Sequence, residues 1–330
     1  MALKIAINGF GRIGRCAARI ILNNPECELA VINDTAERKM TRYLLKYDTV
    51  HGEFDKEVNV IDDNYIEVDG KKIRVYSTRE IESLDLEGID VVLECTGKFL
   101  TTEKCETYLK QGAKKVVMSA PAKDDTPTFV LGVNSNTYKG EKIVSNASCT
   151  TNCLGPVTRV LEDLYGIEKG LMTTIHAYTN GQSLVDVKCR DFRRSRAAAA
   201  NIIPTSTGAA KAMKLVMPSL NGKLHGQSVR VPVPNVSMVD LTAVLGKSVS
   251  KEELNAAFVN ASKTSLKGIM AVDFDERVSS DFNTSNYSSI VAADLTQVIC
   301  GDMIKVMAWY DNEWGYTSRL VEMAKFISER

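Results

Sequence analysis

The stretch LKIAINGFGRIGRCAARIILNNPECELAVIND, residues 3–34, decides the fold. Residues 3–8 are largely apolar and read as a short strand that runs into Gly9-Phe10-Gly11-Arg12-Ile13-Gly14, a G-x-G-x-x-G. Beyond it, Ile13, Cys16, Ala17, Ile20 and Ile21 recur at i, i+3, i+4, i+7 and i+8, which predicts an amphipathic helix with one face on a core. Asn23-Asn24-Pro25 end that helix, and residues 29–32 form a second apolar strand finishing at Asn33-Asp34. The result is one βαβ unit, with a right-handed crossover expected. In this context Gly9 allows a tight turn, Gly11 lets the backbone approach a pyrophosphate and Gly14 permits close helix packing. Arg12 and Ile13 supply free N–H groups at the helix start for the pyrophosphate. Asp34, 20 residues beyond Gly14, can accept hydrogen bonds from an adenosine ribose and would repel a 2′-phosphate.

Alternation continues outward. Met40, Tyr43, Leu44 and Tyr47 repeat at helical spacing, and a polar hairpin region follows with strands near 58–61, 65–68 and 72–76. Strands near 91–93, 116–118 and 143–144, with a helix over 101–111, complete a doubly wound parallel sheet. After residue 146 the pattern changes. Helices are expected over 149–165, 207–217 and 315–328, and a capping box at Ser250 to Glu253 opens another. Strands near 171–176, 229–245 (read as one long antiparallel strand), 268–274, 288–293 and 304–310 fit a mixed or antiparallel second sheet. The fold class is therefore α/β, a Rossmann cofactor domain joined to an α+β catalytic domain. The expected boundaries are 1–148 plus 313–330 for the first and 149–312 for the second.

The chain has 330 residues, with 41 Lys+Arg balancing 41 Asp+Glu. That balance, relieved only by RDFRRSR at 190–196, argues against a nucleic-acid binder, whose affinity needs clustered cations. No apolar run reaches the ~18 residues of a membrane span, and the first residues enter a strand without a secretory h-region. The eight cysteines (16, 27, 95, 105, 149, 153, 189 and 300) are scattered, unlike those of a small disulfide scaffold. A cytoplasmic chain with reduced thiols is expected.

One thiol stands apart. In SNASCTTNC, residues 145–153, Ser148 is a good N-cap and puts Cys149 in a first helical turn, where dipole and free N–H groups favour thiolate. His176, one of three histidines and 27 residues downstream, could serve as its base. The plain alternative is that both are packing residues. A zinc site from Cys149, Cys153 and His176 lacks a fourth ligand, so no metal is expected.

Together with NGFGRIG (8–14) and SNASCTTNC, the segments PTSTGAAKA (204–212), RVPVPNVS (230–237) and WYDNEWGY (309–316) resemble phosphorylating glyceraldehyde-3-phosphate dehydrogenases along the whole chain. The resemblance implies a thioester mechanism with glyceraldehyde 3-phosphate, inorganic phosphate and NAD. Cys149 would be the nucleophile and His176 the base. It implies Thr179, Arg194 and Arg230 for the substrate phosphate, and Ser148, Thr150, Thr207 and Gly208 for the attacking phosphate. For the cofactor it implies Arg12, Ile13, Asp34, Arg79, Thr96, Phe99, Ser119 and Asn312, the last fixing the nicotinamide carboxamide, with Tyr316 packed beside it. A homotetramer is also implied, and the last helix would return to the cofactor domain.

The sequence departs from strictly NAD-using bacterial relatives at Val187-Lys188, where they carry Leu-Pro, and Thr35 resembles the NADP-using photosynthetic branch. Lys188 or the Thr35 hydroxyl near the ribose could offset the Asp34 charge, so use of NADP beside NAD is expected. Within the enzyme class the alternative is erythrose-4-phosphate dehydrogenase; outside it, a dinucleotide-binding redox thiol sensor.

Overall fold

The computed structural model describes residues 2–330, the side chain of Lys211 excepted. It forms two compact units. The first comprises Met1–Phe129, Thr137–Ala147 and Thr317–Arg330, and the second Val130–Asn136 and Ser148–Tyr316. This division differs from the expected boundaries at three places. Residues 130–136 and Ser148 group with the second unit, as do residues 313–316, which lead into the last helix, Trp314–Ser328.

The first unit is built on an eight-stranded sheet. Its parallel core runs Lys71–Tyr76, Cys27–Asn33, Leu3–Asn8, Val91–Glu94, Lys115–Met118 and Ile143–Ser145 in spatial order, with Val58–Asp62 and Tyr65–Val68 adding an antiparallel edge. Strand order reverses beside Leu3–Asn8, the point at which doubly wound sheets open a ligand crevice. The helix Arg12–Leu22 buries Cys16, Ala17 and Ile21, as its spacing requires. The helix Arg38–Lys46 forms too, but its apolar stripe faces outward: Met40, Tyr43 and Tyr47 are exposed, while Thr41 and Leu45 are buried. Tyr43 and Tyr47 instead pack on each other, ring centroids 5.2 Å apart.

The second unit holds a mixed sheet in the order Ile203–Ser206, Leu224–Val231, Ile167–Ala177, Ser237–Leu245, Met303–Tyr310, Ser289–Ala292 and Met270–Asp273, with Gln297–Ile299 pairing Met303–Tyr310. The single long strand expected over 229–245 is two. Pro232 and Pro234 lack the N–H a ladder needs, and Val236 takes φ 65°. The break lets Leu224–Val231 run parallel to Ile167–Ala177 while Ser237–Leu245 runs antiparallel to it. The helix Cys149–Tyr165 occupies its expected span. Ser250 and Glu253 form the expected reciprocal cap of Lys251–Lys263.

The glycines of the first turn differ in what surrounds them. A Cβ on Gly14 would lie 2.1 Å from the Gly9 carbonyl oxygen, whereas one on Gly11 meets nothing within 4 Å. Gly14→Ala is therefore expected to lower the denaturant midpoint by an overpacking cost of about 1–3 kcal/mol. Gly11→Ala should leave the midpoint unchanged while weakening dinucleotide binding, both read by urea titration and calorimetry. Equal midpoints for the two variants would contradict the packing account.

Candidate active site

In the first unit a cavity of about 270 Å³ opens at the switch point, lined by Asn8, Gly9, Gly11, Asn33, Asp34, Thr35, Thr78, Arg79, Ile81, Cys95, Thr96, Lys98 and Phe99. Gly9, Gly11, Asp34, Thr35, Arg79, Thr96 and Phe99 were expected from the sequence. Lys98, Thr78 and the asparagines were not, since nothing in their local pattern marks them. Ile13, Gly14 and Ser119 do not line it: Gly14 packs behind Gly9, and Ser119 donates its N–H to the Glu94 carbonyl. The Arg12 guanidinium pairs with Asp48 and so faces a protein carboxylate. Against burial, that pairing draws Asp48 down to about 2.

The cavity fits a dinucleotide. The helix Arg12–Leu22 starts at Gly11 without a side-chain cap, and a helix start of this kind suits an anion. The Gly11 Cβ position is open space that a close-approaching ligand would fill. Asp34 accepts the Phe10 N–H on one oxygen (2.8 Å) and the Ala36 N–H on the other (2.9 Å). The carboxylate is thus fixed with lone pairs to spare for a ribose diol.

In the second unit Ser148 caps the helix Cys149–Tyr165 by accepting the Thr151 N–H at 3.1 Å. Ala147 just before it holds φ 56°, an uncommon conformation for a residue with a Cβ. Cys149, in the first turn, places its Sγ 3.6 Å from His176 Nε2. His176 is buried near the end of Ile167–Ala177. Its Nδ1 lies 2.7 Å from the Ala177 carbonyl oxygen and 2.6 Å from Arg230 Nη1, which also donates to that carbonyl at 2.9 Å. Tyr310 stands edge-on to the imidazole, centroids 6.0 Å apart, its hydroxyl between Thr150 Oγ1 (2.9 Å) and Thr174 Oγ1 (2.8 Å). The sequence places Tyr310 inside WYDNEWGY without assigning it a role; only its contacts reveal one.

The electrostatics sharpen the expectation for the thiol. Burial pushes Cys149 above its ordinary value, and Arg230, the Thr150 hydroxyl and the helix-start N–H groups pull it back. The helix start thus favours thiolate as expected, but desolvation outweighs it here. His176 is lowered to about 3, first by burial and then by the Arg230 charge. The pair is accordingly a thiol facing a neutral imidazole. The tautomer that donates Nδ1–H to the Ala177 carbonyl leaves the Nε2 lone pair facing the sulfur, and Arg230 Nη1 then donates its proton to that same carbonyl, not to Nδ1.

The remaining expected residues are dispersed around this core. Arg194 donates Nε to Thr205 Oγ1 at 2.9 Å, on the strand Ile203–Ser206, which pairs with the strand carrying Arg230. Thr207 accepts the Ala209 N–H at 3.2 Å, and Gly208 is the cap of Ala209–Val216. Thr179 is exposed, its N–H on Gln182 Oε1 at 3.3 Å. Lys188 stands exposed on the loop that also carries Leu184 and Phe192. Asn312 is buried and accepts a hydrogen bond from Ser237, and Tyr316 is buried in the last helix.

Residues 3–102 match the family described as glyceraldehyde 3-phosphate dehydrogenase, NAD binding domain, and residues 148–312 the C-terminal domain of the same enzyme. The chain is 49% identical to glyceraldehyde-3-phosphate dehydrogenase 1 of Bacillus subtilis, over 100% of this chain and 99% of that protein. It is 50% identical to the glyceraldehyde-3-phosphate dehydrogenase of Geobacillus stearothermophilus, with the same coverage. It is also 50% identical to the chloroplastic GAPA1 enzyme of Arabidopsis thaliana, over 99% of this chain and 84% of that protein.

Because the Arg230 charge favours the thiolate, its removal should raise the Cys149 thiol further. Arg230→Gln is expected to slow iodoacetamide modification of Cys149 at neutral pH about tenfold, the change that goes with one pH unit between the two titrations. The rate profile should move toward alkaline pH. Superimposable profiles would show that Arg230 has no hold on the sulfur.

Proposed function

The chain belongs to the glyceraldehyde 3-phosphate dehydrogenase family, and from that membership we propose how its own residues carry out the reaction. The enzyme oxidises and phosphorylates glyceraldehyde 3-phosphate with NAD. The observation that carries the residue assignment is Cys149 Sγ held 3.6 Å from the Nε2 of a neutral, buried imidazole. Cys149 adds to the aldehyde carbon, its proton passing through His176 Nε2 to the carbonyl oxygen, and a hemithioacetal forms. The N–H groups at the helix start stabilise the developing oxyanion. His176 then takes the hemithioacetal hydroxyl proton, leaving a thioester on Cys149. Bound NAD supplies the acceptor for the hydride that leaves the same carbon. A phosphate oxygen attacks the thioester, and collapse expels the sulfur, which regains its proton from His176 as the acyl phosphate departs.

Arg230, Arg194 and Thr179 hold the substrate phosphate in this reading. Ser148, Thr150, Thr207 and Gly208 hold the attacking phosphate. Arg230 also couples binding to catalysis. Its charge adds to burial in keeping His176 uncharged, so a phosphate dianion that neutralises it makes the imidazole a stronger base just when substrate is present. Asp34 binds the adenosine ribose, and Asn312, with Tyr316 beside it, binds the carboxamide.

We further propose that NADP is used beside NAD. Thr35, Arg79 and Lys98 line one cavity with Asp34, giving a 2′-phosphate a hydroxyl and two cations to set against the carboxylate. A charge pair at about 4 Å and an effective dielectric near 20 is worth roughly 4 kcal/mol before desolvation, enough to change cofactor choice. Lys188 is the second determinant in this proposal.

A homotetramer in a reducing, cytoplasmic compartment completes the reading. The large apolar side chains Leu171, Leu184 and Phe192 are 67%, 86% and 91% exposed, more than an isolated chain would leave to water. All eight cysteines are free. No helix among the described residues is long and apolar enough to cross a membrane. Sedimentation should give the mass of four protomers; a monomer would overturn that part.

Steady-state assays test the rest. Reduced cofactor should form from glyceraldehyde 3-phosphate only with inorganic phosphate present, and Cys149→Ser should abolish it. Retained activity in that variant would remove the assigned nucleophile. The kcat/KM ratio of NAD to NADP should fall below about a thousand and rise in Lys188→Pro. A larger ratio, unmoved by the substitution, would sink the dual-cofactor proposal.

A further inference from the structure

We propose that Ser237 is a positioning residue that orients the Asn312 amide toward the cofactor and ties it to the peptide that holds the base. The inference rests on the reading of Asn312 given above and adds what fixes that side chain. Ser237 is 1% exposed and opens the strand Ser237–Leu245, which lies between Ile167–Ala177 and Met303–Tyr310. It pairs directly with Tyr310, two residues before Asn312.

Its single hydroxyl proton settles the direction of every bond around it. The Ala177 N–H can only donate, and it donates to Ser237 Oγ at 3.0 Å. The Ser237 proton is therefore free to go to Asn312 Oδ1, 2.7 Å away. With Nδ2 turned to the serine instead, Oγ would accept twice and its proton would lose the Asn312 acceptor. The hydroxyl thus selects the rotamer that keeps Oδ1 inward and leaves the Nδ2 donors for a ligand carbonyl.

The carbonyl of the same residue, in the next peptide group, faces the catalytic pair. The Ala177 carbonyl accepts from Arg230 Nη1 at 2.9 Å and lies 2.7 Å from His176 Nδ1. One residue, Ala177, therefore links the amide held by Ser237 to the imidazole tautomer that exposes Nε2. The surrounding structure makes this arrangement stiff. Asp311, 1% exposed, accepts the Asn235 Nδ2 (2.9 Å) and the Thr284 N–H (2.7 Å) on one oxygen. Its other oxygen takes the Glu313 N–H (2.9 Å) and the Trp314 N–H (2.7 Å), so the backbone flanking Asn312 is held on both sides. Val236 is kept at φ 65°, a cost for a β-branched residue that persists only where neighbours over-determine it.

The test is a double-variant cycle read by calorimetry of NAD binding to the whole enzyme, with steady-state constants alongside. Asn312→Ala should weaken NAD binding at least tenfold. Ser237→Ala should weaken it five- to tenfold and raise the KM for NAD in parallel, leaving the KM for glyceraldehyde 3-phosphate within error, while the thermal midpoint falls because the buried Ala177 N–H loses its acceptor. The double variant should bind no more weakly than Asn312→Ala alone. Ser237→Thr, which keeps the hydroxyl, should bind within threefold of the parent; it carries the test if Ser237→Ala does not fold, a tenfold loss there counting against the proposal. A Ser237→Ala enzyme with parental affinity, or losses that multiply in the double variant, would overturn the positioning role while leaving Asn312 as a ligand. An Asn312→Ala enzyme with parental affinity would overturn the reading of Asn312 itself, and this inference with it.

Discussion

A half-buried guanidinium stands beside an imidazole with no carboxylate to neutralise it, and the catalytic pair is organised around that charge. Among the described residues Arg230 meets only the Ala177 carbonyl and His176 Nδ1, and its buried Nε finds no partner. Burial already lowers its hold on its proton. A cation that loses water without gaining a counter-charge is destabilised. It is tolerated where an anion completes it, and a substrate phosphate does so. Burial sets both reacting groups neutral, raising the thiol and lowering the imidazole; the Arg230 charge opposes burial at Cys149 and reinforces it at His176.

The first unit was legible because its signals are local. The turn, the helix face and Asp34 all lie within 32 residues, and Gly9 and Gly14 there answer to steric demands of the chain itself. Even so, the helix Arg38–Lys46 shows the limit of periodicity. Its apolar stripe faces outward because the sheet beneath it takes Thr41 and Leu45, and no count of spacings tells which side the sheet lies on.

The catalytic unit was legible only in part. Cys149 could be singled out because an N-cap and a first turn are written in four consecutive residues. His176 could be nominated but not placed, since its distance from the sulfur depends on a strand and a helix far apart in sequence. Tyr310, Ala177 and Ser237 carried no local mark. Their roles come from register: pairing Ser237 with Tyr310 and Met238 with Ile175 is what brings the ends of three strands together. The alternation over 229–245 hid the break at Pro232 and Pro234, and with it the change from parallel to antiparallel pairing.

The two units bury charge in opposite ways, and the contrast separates structure from function. Under the dinucleotide cavity Glu94 is 0% exposed. Its Oε2 accepts from Asn8 Nδ2 (2.9 Å) and the Tyr108 hydroxyl (2.5 Å), and its Oε1 from the Thr96 N–H (2.7 Å) and hydroxyl. Burial raises Glu94, and these four donors oppose it. A group satisfied on every side is fixed, and it fixes Asn8 and Thr96 in the cavity wall. Arg230 is the converse, a half-buried charge whose buried Nε is left with an open donor. A saturated charge gives a rigid floor; an unsaturated one gives a preference for a ligand. The floor must not change when the cofactor arrives, whereas the guanidinium must change its surroundings when the phosphate does.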